Sequence, residues 1–274
     1  MADRKDLTTG KISSVRNSKI KNFLHLQKAR ERKKQNLFVI EGMRETAMAC
    51  QAGIRFTDVF YCPDILPEEK FLDFMHDHKL EAEVYEVSKD VYRQIAYRKD
   101  SEGITGWAVP VYQDLRNWIP GPAPLYLILD RIEKPGNLGG ILRTADAAGI
   151  DGVLVCDPGV DLYNPNVIRS SLGALFTVPI VLEEAEKVVA WLKNQGITLF
   201  CSTLKSSVPY TEADYMVPAA IVMGSEAWGV RRIWEEQASE RIIIPMKGQV
   251  DSMNVSVSTA IVLFEAVRQR RQIS

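Results

Sequence analysis

Five residues of this 274-residue chain are best placed to do chemistry: Asn137 and Arg143 in NLGGILRTADAAG, Glu226 in IVMGSEAWGV, and Ser252 and Asn254 in IIIPMKGQVDSMNVSVS. Asn137 precedes Leu138, Ile141, Leu142 and Ala145, an i, i+3, i+4, i+7 apolar face, and so reads as the N-cap of a helix. Helical side chains lean back toward the N-terminus, so Arg143 would lie over Gly139 and Gly140. A glycine-lined helix start with a guanidinium above it suits a phosphate or another anion. Glu226 follows Gly224 at the end of an apolar run, where it could receive or orient a polar group, and Gly224 leaves room for a ligand against the backbone. Ser252 or Asn254 would cap a long helix whose apolar residues cover most sides, which predicts deep burial.

The glycine-rich turn fits neither the dinucleotide pattern G-x-G-x-x-G nor the phosphate-loop pattern G-x-x-x-x-G-K-[ST]. It shares the position of a nucleotide loop, between strand and helix, without the pattern. No metal constellation offers itself. His76 and His78 are two apart, which on a helix points them to different faces, and the four cysteines are scattered without a C-x-x-C spacing.

The elements that must position these residues read as α/β in both halves. In the first half NLFVIEG, FTDVFYC, AEVYEVS and ITGWAVPVY read as strands, with MRETAMACQAG, PEEKFLDFMHDHKL and SKDVYRQIAYR as helices between them. In the second half LYLILD, GVLVC, ITLFCST, AAIVMG and RIIIPM are continuous apolar strands, the pattern of a parallel sheet buried on both faces. The stretch NWIPGPAP punctuates the chain, dividing it into a domain at 1–112, a linker at 113–123 and a domain at 124–274.

Composition is that of a soluble globular protein, 46% hydrophobic and 25% charged. No apolar run approaches the roughly 18 residues of a membrane span, and no secretory signal is visible, so a cytoplasmic location is expected. Net charge is only −1, yet residues 1–36 carry eleven Lys and Arg against three acids. A basic arm on a near-neutral chain suits a polyanion such as RNA; a solvated tail is the plainer alternative.

Taken in order and spacing, NLGGILRTADAAG, VMGSEAWGV and IPMKGQVDSMNVSVS resemble the signatures of the SpoU (TrmH) family of RNA ribose 2′-O-methyltransferases, members of the knotted SPOUT superfamily. The resemblance covers most of residues 125–270, and the first half looks like the small α/β RNA-binding domain that often precedes such a catalytic domain. It implies a parallel-sheet domain with a trefoil knot, a homodimer, and S-adenosylmethionine held by backbone groups near Gly224, Ile244 and Met253. It implies catalytic roles for Arg143 and Asn137, for Glu226, and for Ser252 and Asn254. Met253 stands where leucine is usual, and Ala227-Trp228 replaces a smaller turn; Trp228 could edge the pocket and stack on a base, or fill core. The implied activity is methylation of a ribose 2′-hydroxyl in structured RNA, ribosomal in preference to transfer RNA. Two other readings stay open: a non-catalytic ribosomal RNA-binding factor, and a nucleotide-binding α/β enzyme using Asp157 at the end of GVLVCD.

Overall fold

The computed structural model describes residues 8–98, 100–205, 207–249 and 252–271. Arg4 and Lys5 of the basic arm, with Asp3 and Asp6, lie outside them, as do Val250 and Asp251 of the third motif.

In chain order the elements are β1 (Thr8–Ile12), α1 (Ser18–Leu26), α2 (Ala29–Gln35), β2 (Phe38–Glu41), α3 (Met43–Gln51), β3 (Phe56–Tyr61), α4 (Glu68–Asp77), β4 (Glu83–Val87), α5 (Lys89–Ile95) and β5 (Ile104–Ala108). Then come β6 (Leu125–Asp130), α6 (Pro135–Ala148), β7 (Gly152–Cys156), α7 (Pro165–Ser171), α8 (Ala174–Thr177), β8 (Ile180–Glu183), α9 (Ala185–Asn194) and β9 (Thr198–Ser202). The chain continues with β10 (Val208–Pro209), β11 (Ala219–Gly224), α10 (Arg232–Gln237), β12 (Glu240–Ile243) and α11 (Val255–Arg271). These form two compact units, residues 1–111 with 162–177, and residues 112–161 with 178–274.

The first unit is built on a mixed sheet of order β1-β4-β3-β5-β2. Its core is aromatic: the Phe23 ring meets Phe60 edge-on at 4.8 Å, and Phe60 lies 5.3 Å from Trp107. From Thr8 onward the basic segment is built into the unit. Thr8–Ile12 pairs in parallel with β4, and the alternation of Ile20, Phe23 and Leu26 seats α1 on the core. Helices α7 and α8 also belong here, with Tyr163 tilted on Phe38 at 4.3 Å and its hydroxyl bonded to the Val111 backbone.

The second unit holds a sheet of order β10-β12-β9-β11-β6-β7-β8 in which every pairing is parallel. Its central strands β6, β7, β9 and β11 are the long apolar runs, buried on both faces as their composition requires, while β10 and β12 toward one edge are only half-buried. One face packs under α9 and α10 through Val188, Leu192 and Trp234. Helix α11 packs on α6 and β11. The segment at 113–123 is tied to this sheet at its start: Gln113 bridges Val181, and Leu115 is buried. Deep burial of α11 holds on one side only; Val257 and Phe264 are 49% and 43% exposed. The end of α11 does more than complement the helix dipole, because the Arg270 guanidinium donates to the carbonyls of Ala123, Pro124, Tyr215 and Val217. No helix among the described residues is long and apolar enough to cross a membrane.

Candidate active site

Strands β12, β9 and β11 are neighbours in a parallel sheet, so their carboxyl ends open side by side. In open parallel sheets a ligand binds in the crevice beyond those ends. A groove of about 430 Å³ lies there, within the usual range for a small-molecule site. Its wall comes from the segments that follow the three strands and from the start of α11.

The second motif forms one side. After Gly224 the chain makes a tight loop closed by paired backbone bonds, Ser225 N–H to Gly229 O at 3.2 Å and Gly229 N–H to Ser225 O at 2.9 Å. The loop folds back so far that a Cβ on Gly224 would collide with the Gly229 carbonyl and the Val230 nitrogen. The glycine therefore makes room for the chain's own backbone, where the sequence suggested room for a ligand. Trp228 stands on the rim, 75% exposed, which removes the core-filling reading. Glu226 lines the groove with its side chain 20% exposed, and its carboxylate lies 3.8 Å from the Lys134 ammonium just before α6.

Arg231, directly after this loop, anchors it. Its backbone N–H donates to Asp130 Oδ2 at 2.8 Å and its Nε to Asp130 Oδ1 at 2.7 Å. A guanidinium nitrogen also reaches Asp157 at 2.6 Å. Burial works against the Arg231 charge, but the bonds to Asp130 and Asp157 more than offset it and raise the pKa. Asp130 has no exposed surface at all and ends β6. Asp157, offered above as a nucleotide acid, is thus engaged in an ion pair. Neither Asp130 nor Arg231 was singled out in sequence, since 101 residues separate them.

The third motif supplies Ile244, Ser252 and Met253 to the wall, with Val255 and Ser258 from α11. Asn254 is the cap of that helix: its Oδ1 accepts from Ser256 N–H at 3.0 Å, and its backbone carbonyl accepts from Val257 and Ser258. Its Nδ2 donates to Asn137 Oδ1 at 3.2 Å, joining the third motif to the first.

The first motif differs from its expected local geometry. Helix α6 begins at Pro135, whose fixed φ and missing N–H suit a first helical position, so Asn137 lies inside the first turn and is not the N-cap. Gly139 and Gly140 fall in the second turn, where their N–H groups serve the helix ladder, so they form no bare anion site. Gly139 is buried, and a Cβ on Gly140 would stand in ordinary contact with Ser256 on α11, 3.6 Å from its Cβ, so this part of α6 faces α11. The Asn137 amide nitrogen is buried with no hydrogen-bond partner among the described residues, a donor left for something else. Arg143 is exposed, makes no hydrogen bond or ion pair among the described residues, and does not line the groove. It sits six residues beyond Asn137, about 9 Å along the helix.

The loop after β9 was missed in sequence. Thr203 and Lys205 line the groove and hold Glu235 at 2.9 and 3.1 Å. The Thr203 hydroxyl, then the Lys205 ammonium, keep the Glu235 carboxyl below its ordinary value. The available signal was the polar STLKSS run straight after a buried strand. Cys201, in the same strand, offers no nucleophile, because burial pushes its thiol up to about 12.

The groove suits S-adenosylmethionine in its donor set. Apolar Met223, Ile243 and Met246 can face a flat ring, while Glu226 and Thr203 offer polar ends to an ammonium and hydroxyls.

Comparison with known proteins agrees. Residues 124–264 match the SpoU rRNA Methylase family and residues 17–106 the MRM3-like substrate binding domain. The chain is 29% identical to the 23S rRNA (guanosine(2553)-2′-O)-methyltransferase RlmP of Bacillus subtilis (strain 168), over 92% of this chain and 97% of that protein. A solved RNA 2′-O ribose methyltransferase is 39% identical, with a TM-score of 0.82 over 95% of this chain and 99% of its own. The AdoMet-bound rRNA methyltransferase from Sinorhizobium meliloti is 29% identical, with a TM-score of 0.85 over 94% and 97%. With two motifs lining one groove, the first tied to it through Asn137, and the family match spanning more than half of its length, the chain belongs to the SpoU rRNA methylase family.

Proposed function

We infer that this chain is an S-adenosylmethionine-dependent methyltransferase that modifies a ribose 2′-hydroxyl in ribosomal RNA. The observation that carries the reading is the meeting of all three motifs: the second and third line one groove, and the Asn137–Asn254 bond ties the first to it. The RlmP relative acts on guanosine by name, so a guanosine ribose is the first substrate to test.

Bound in the groove, S-adenosylmethionine supplies a methyl group on a sulfonium centre. Backbone groups near Gly224, Ile244 and Met253 would hold it, and Glu226 would orient its polar end or the incoming ribose. Holding the 2′-hydroxyl in line with the methyl group is the larger part of the task. Arg143, whose side chain has no partner among the described residues, would clamp the neighbouring RNA phosphate through its planar fork. A guanidinium keeps its proton, so the hydroxyl proton leaves to that phosphate or to water. Asn137 offers its unpaired donor to the ribose. Asn254 fixes Asn137, and Ser252 hydrogen-bonds the substrate.

Residues 1–112 would recognise the RNA, and 124–274 would carry the reaction. The all-parallel sheet of the second unit is consistent with the trefoil knot of the family, which would thread α11 through a loop of the chain. A homodimer would cover Val257 and Phe264, seven residues apart on one side of α11 and exposed in the single chain. A protein acting on ribosomal RNA in this way would work in the cytoplasm.

The test is transfer of labelled methyl from S-adenosylmethionine to ribosomal RNA from cells lacking this protein, with wild type and Arg143→Ala side by side. Label in alkali-resistant dinucleotides, lost in the variant, supports the reading. Cofactor binding without transfer to any RNA would favour a binding factor, and failure to bind the cofactor would overturn the assignment.

A further inference from the structure

We propose that the outer side of the α1–α2 hairpin is a preformed cationic platform that docks the phosphate backbone of the RNA substrate. The proposal rests on the ribosomal RNA reading above and adds where the first unit grips.

Lys21, Lys28, Arg30, Lys33 and Lys34 are all exposed, and none makes an ion pair among the described residues. Surface cations of folded proteins commonly have an acid beside them. Here Glu31 is the only acid between Arg16 and Glu41. Lys19, by contrast, is consumed inside the fold, paired with Asp58 at 2.5 Å and lying over the Tyr85 ring. The chain thus separates structural from unpaired cations on the same helix. Since its net charge is −1, the five charges stand on a protein that is otherwise acidic on balance.

The hairpin is rigid, which separates it from a solvated tail. Arg32 is 4% exposed and sends its guanidinium to the carbonyls of Leu26 and Gln27, both at 2.8 Å, closing the end of α1. Asn22 and Gln35 exchange two amide hydrogen bonds, 2.9 and 3.0 Å, across the two helices. Asn36, in the left-handed region at φ 51°, ends α2 and turns the chain into β2. The backbone that carries the five cations is thus fixed before any RNA arrives, so only their side-chain freedom is left to lose on meeting phosphates. A phosphate backbone is the occupant this chemistry fits: each neutralised phosphate releases counterions, and no apolar anchor is needed.

The experiment measures binding of full-length protein to ribosomal RNA from cells lacking it, as a function of salt, and KM and kcat for methyl transfer. Wild type is compared with Lys21→Gln/Lys28→Gln/Arg30→Gln/Lys33→Gln/Lys34→Gln. A control of equal charge change, Lys70→Gln/Lys79→Gln/Lys89→Gln/Arg93→Gln/Lys187→Gln, removes the effect of net charge alone. The platform variant should raise KM by about tenfold or more and lower the salt slope by about one for each cation that meets a phosphate. Its kcat and its affinity for S-adenosylmethionine should stay at the wild-type level, and the control should behave as wild type. An unchanged KM and salt slope in a wild type that does methylate RNA would overturn the platform, and so would equal losses in both variants. A wild type that binds no RNA would instead fail the functional reading itself.

Discussion

Replacing Arg231 with Met tests whether the loop beside the groove is held by one buried ion pair. Asp130 has no exposed surface and takes three contacts from Arg231: the backbone N–H at 2.8 Å, Nε at 2.7 Å and a guanidinium nitrogen at 2.7 Å. Met keeps the stem volume and the backbone bond but takes away the nearer counter-charge of a buried carboxylate, leaving only Arg131 Nε at 4.0 Å. Breaking such a pair costs about 3–5 kcal/mol. The surviving backbone donor and the 24% exposure of the Arg231 side chain argue for the lower end, about 3 kcal/mol. For a unit of this size each kcal/mol moves Tm by about 2–4 °C, so a drop of roughly 6–12 °C is expected by calorimetry. Because Arg231 also ends the 225–230 loop, titration calorimetry should show weaker S-adenosylmethionine binding in the same variant. The double variant Asp130→Asn/Arg231→Met removes the stranded charge and should recover about half of the loss. A single-variant loss below about 1 kcal/mol, or a double variant no more stable than the single, would refute the account.

Gly224→Ala forces a methyl group into the Gly229 backbone, so the loop must open; about 1–3 kcal/mol of stability and most cofactor affinity should go, and tight binding by the variant would contradict the packing described. Asn254→Ala removes the α11 cap and the bond to Asn137; it should cost about 1 kcal/mol in urea unfolding and lower kcat beyond any change in cofactor affinity, whereas a stability loss with full kcat would confine Asn254 to capping. Arg143→Lys keeps the charge without the fork and should lose most of the activity lost by Arg143→Ala while leaving Tm unchanged; near-wild-type turnover would discard the bidentate clamp. Glu235, its pKa held below the ordinary 4.5, contributes stability above that pH and loses it as pH falls through the lowered value. The urea midpoints of wild type and Glu235→Gln should therefore differ at neutral pH and converge in acid, and a constant gap would show that the carboxylate charge is immaterial.

The strands that build the groove were legible because parallel strands buried on both faces must be continuously apolar, as LYLILD and AAIVMG are. The motif residues were legible as types, but their geometry was not. Asn137 seemed a cap because its side chain is a good one; Pro135, two residues earlier, is the better helix starter and won. Gly140 seemed reserved for a ligand, and only the approach of α11 shows that it faces Ser256 instead. Short edge strands such as β1 and β8 carry too few residues for a period to show. The Asp130–Arg231 pair and the Arg270 carbonyl clamp arise from segments far apart in sequence, which no local pattern encodes.

Helices α7 and α8 lie between two segments of the second unit in sequence yet belong to the first in space. That arrangement sets a timetable for synthesis. When Val111 has emerged from the ribosome, the first unit still lacks Tyr163 and Phe176, the rings that cover Phe38. The missing pieces arrive only with Thr177, 66 residues later. At about 5–20 residues per second the delay is roughly 3–13 s. During that interval β6, α6 and β7 have appeared without β9 and β11, so both units wait half-built on the same nascent chain. A catalytic fragment started at residue 112 would carry the same debt permanently, with Val167, Ile168 and Leu175 stripped of the surface that buries them.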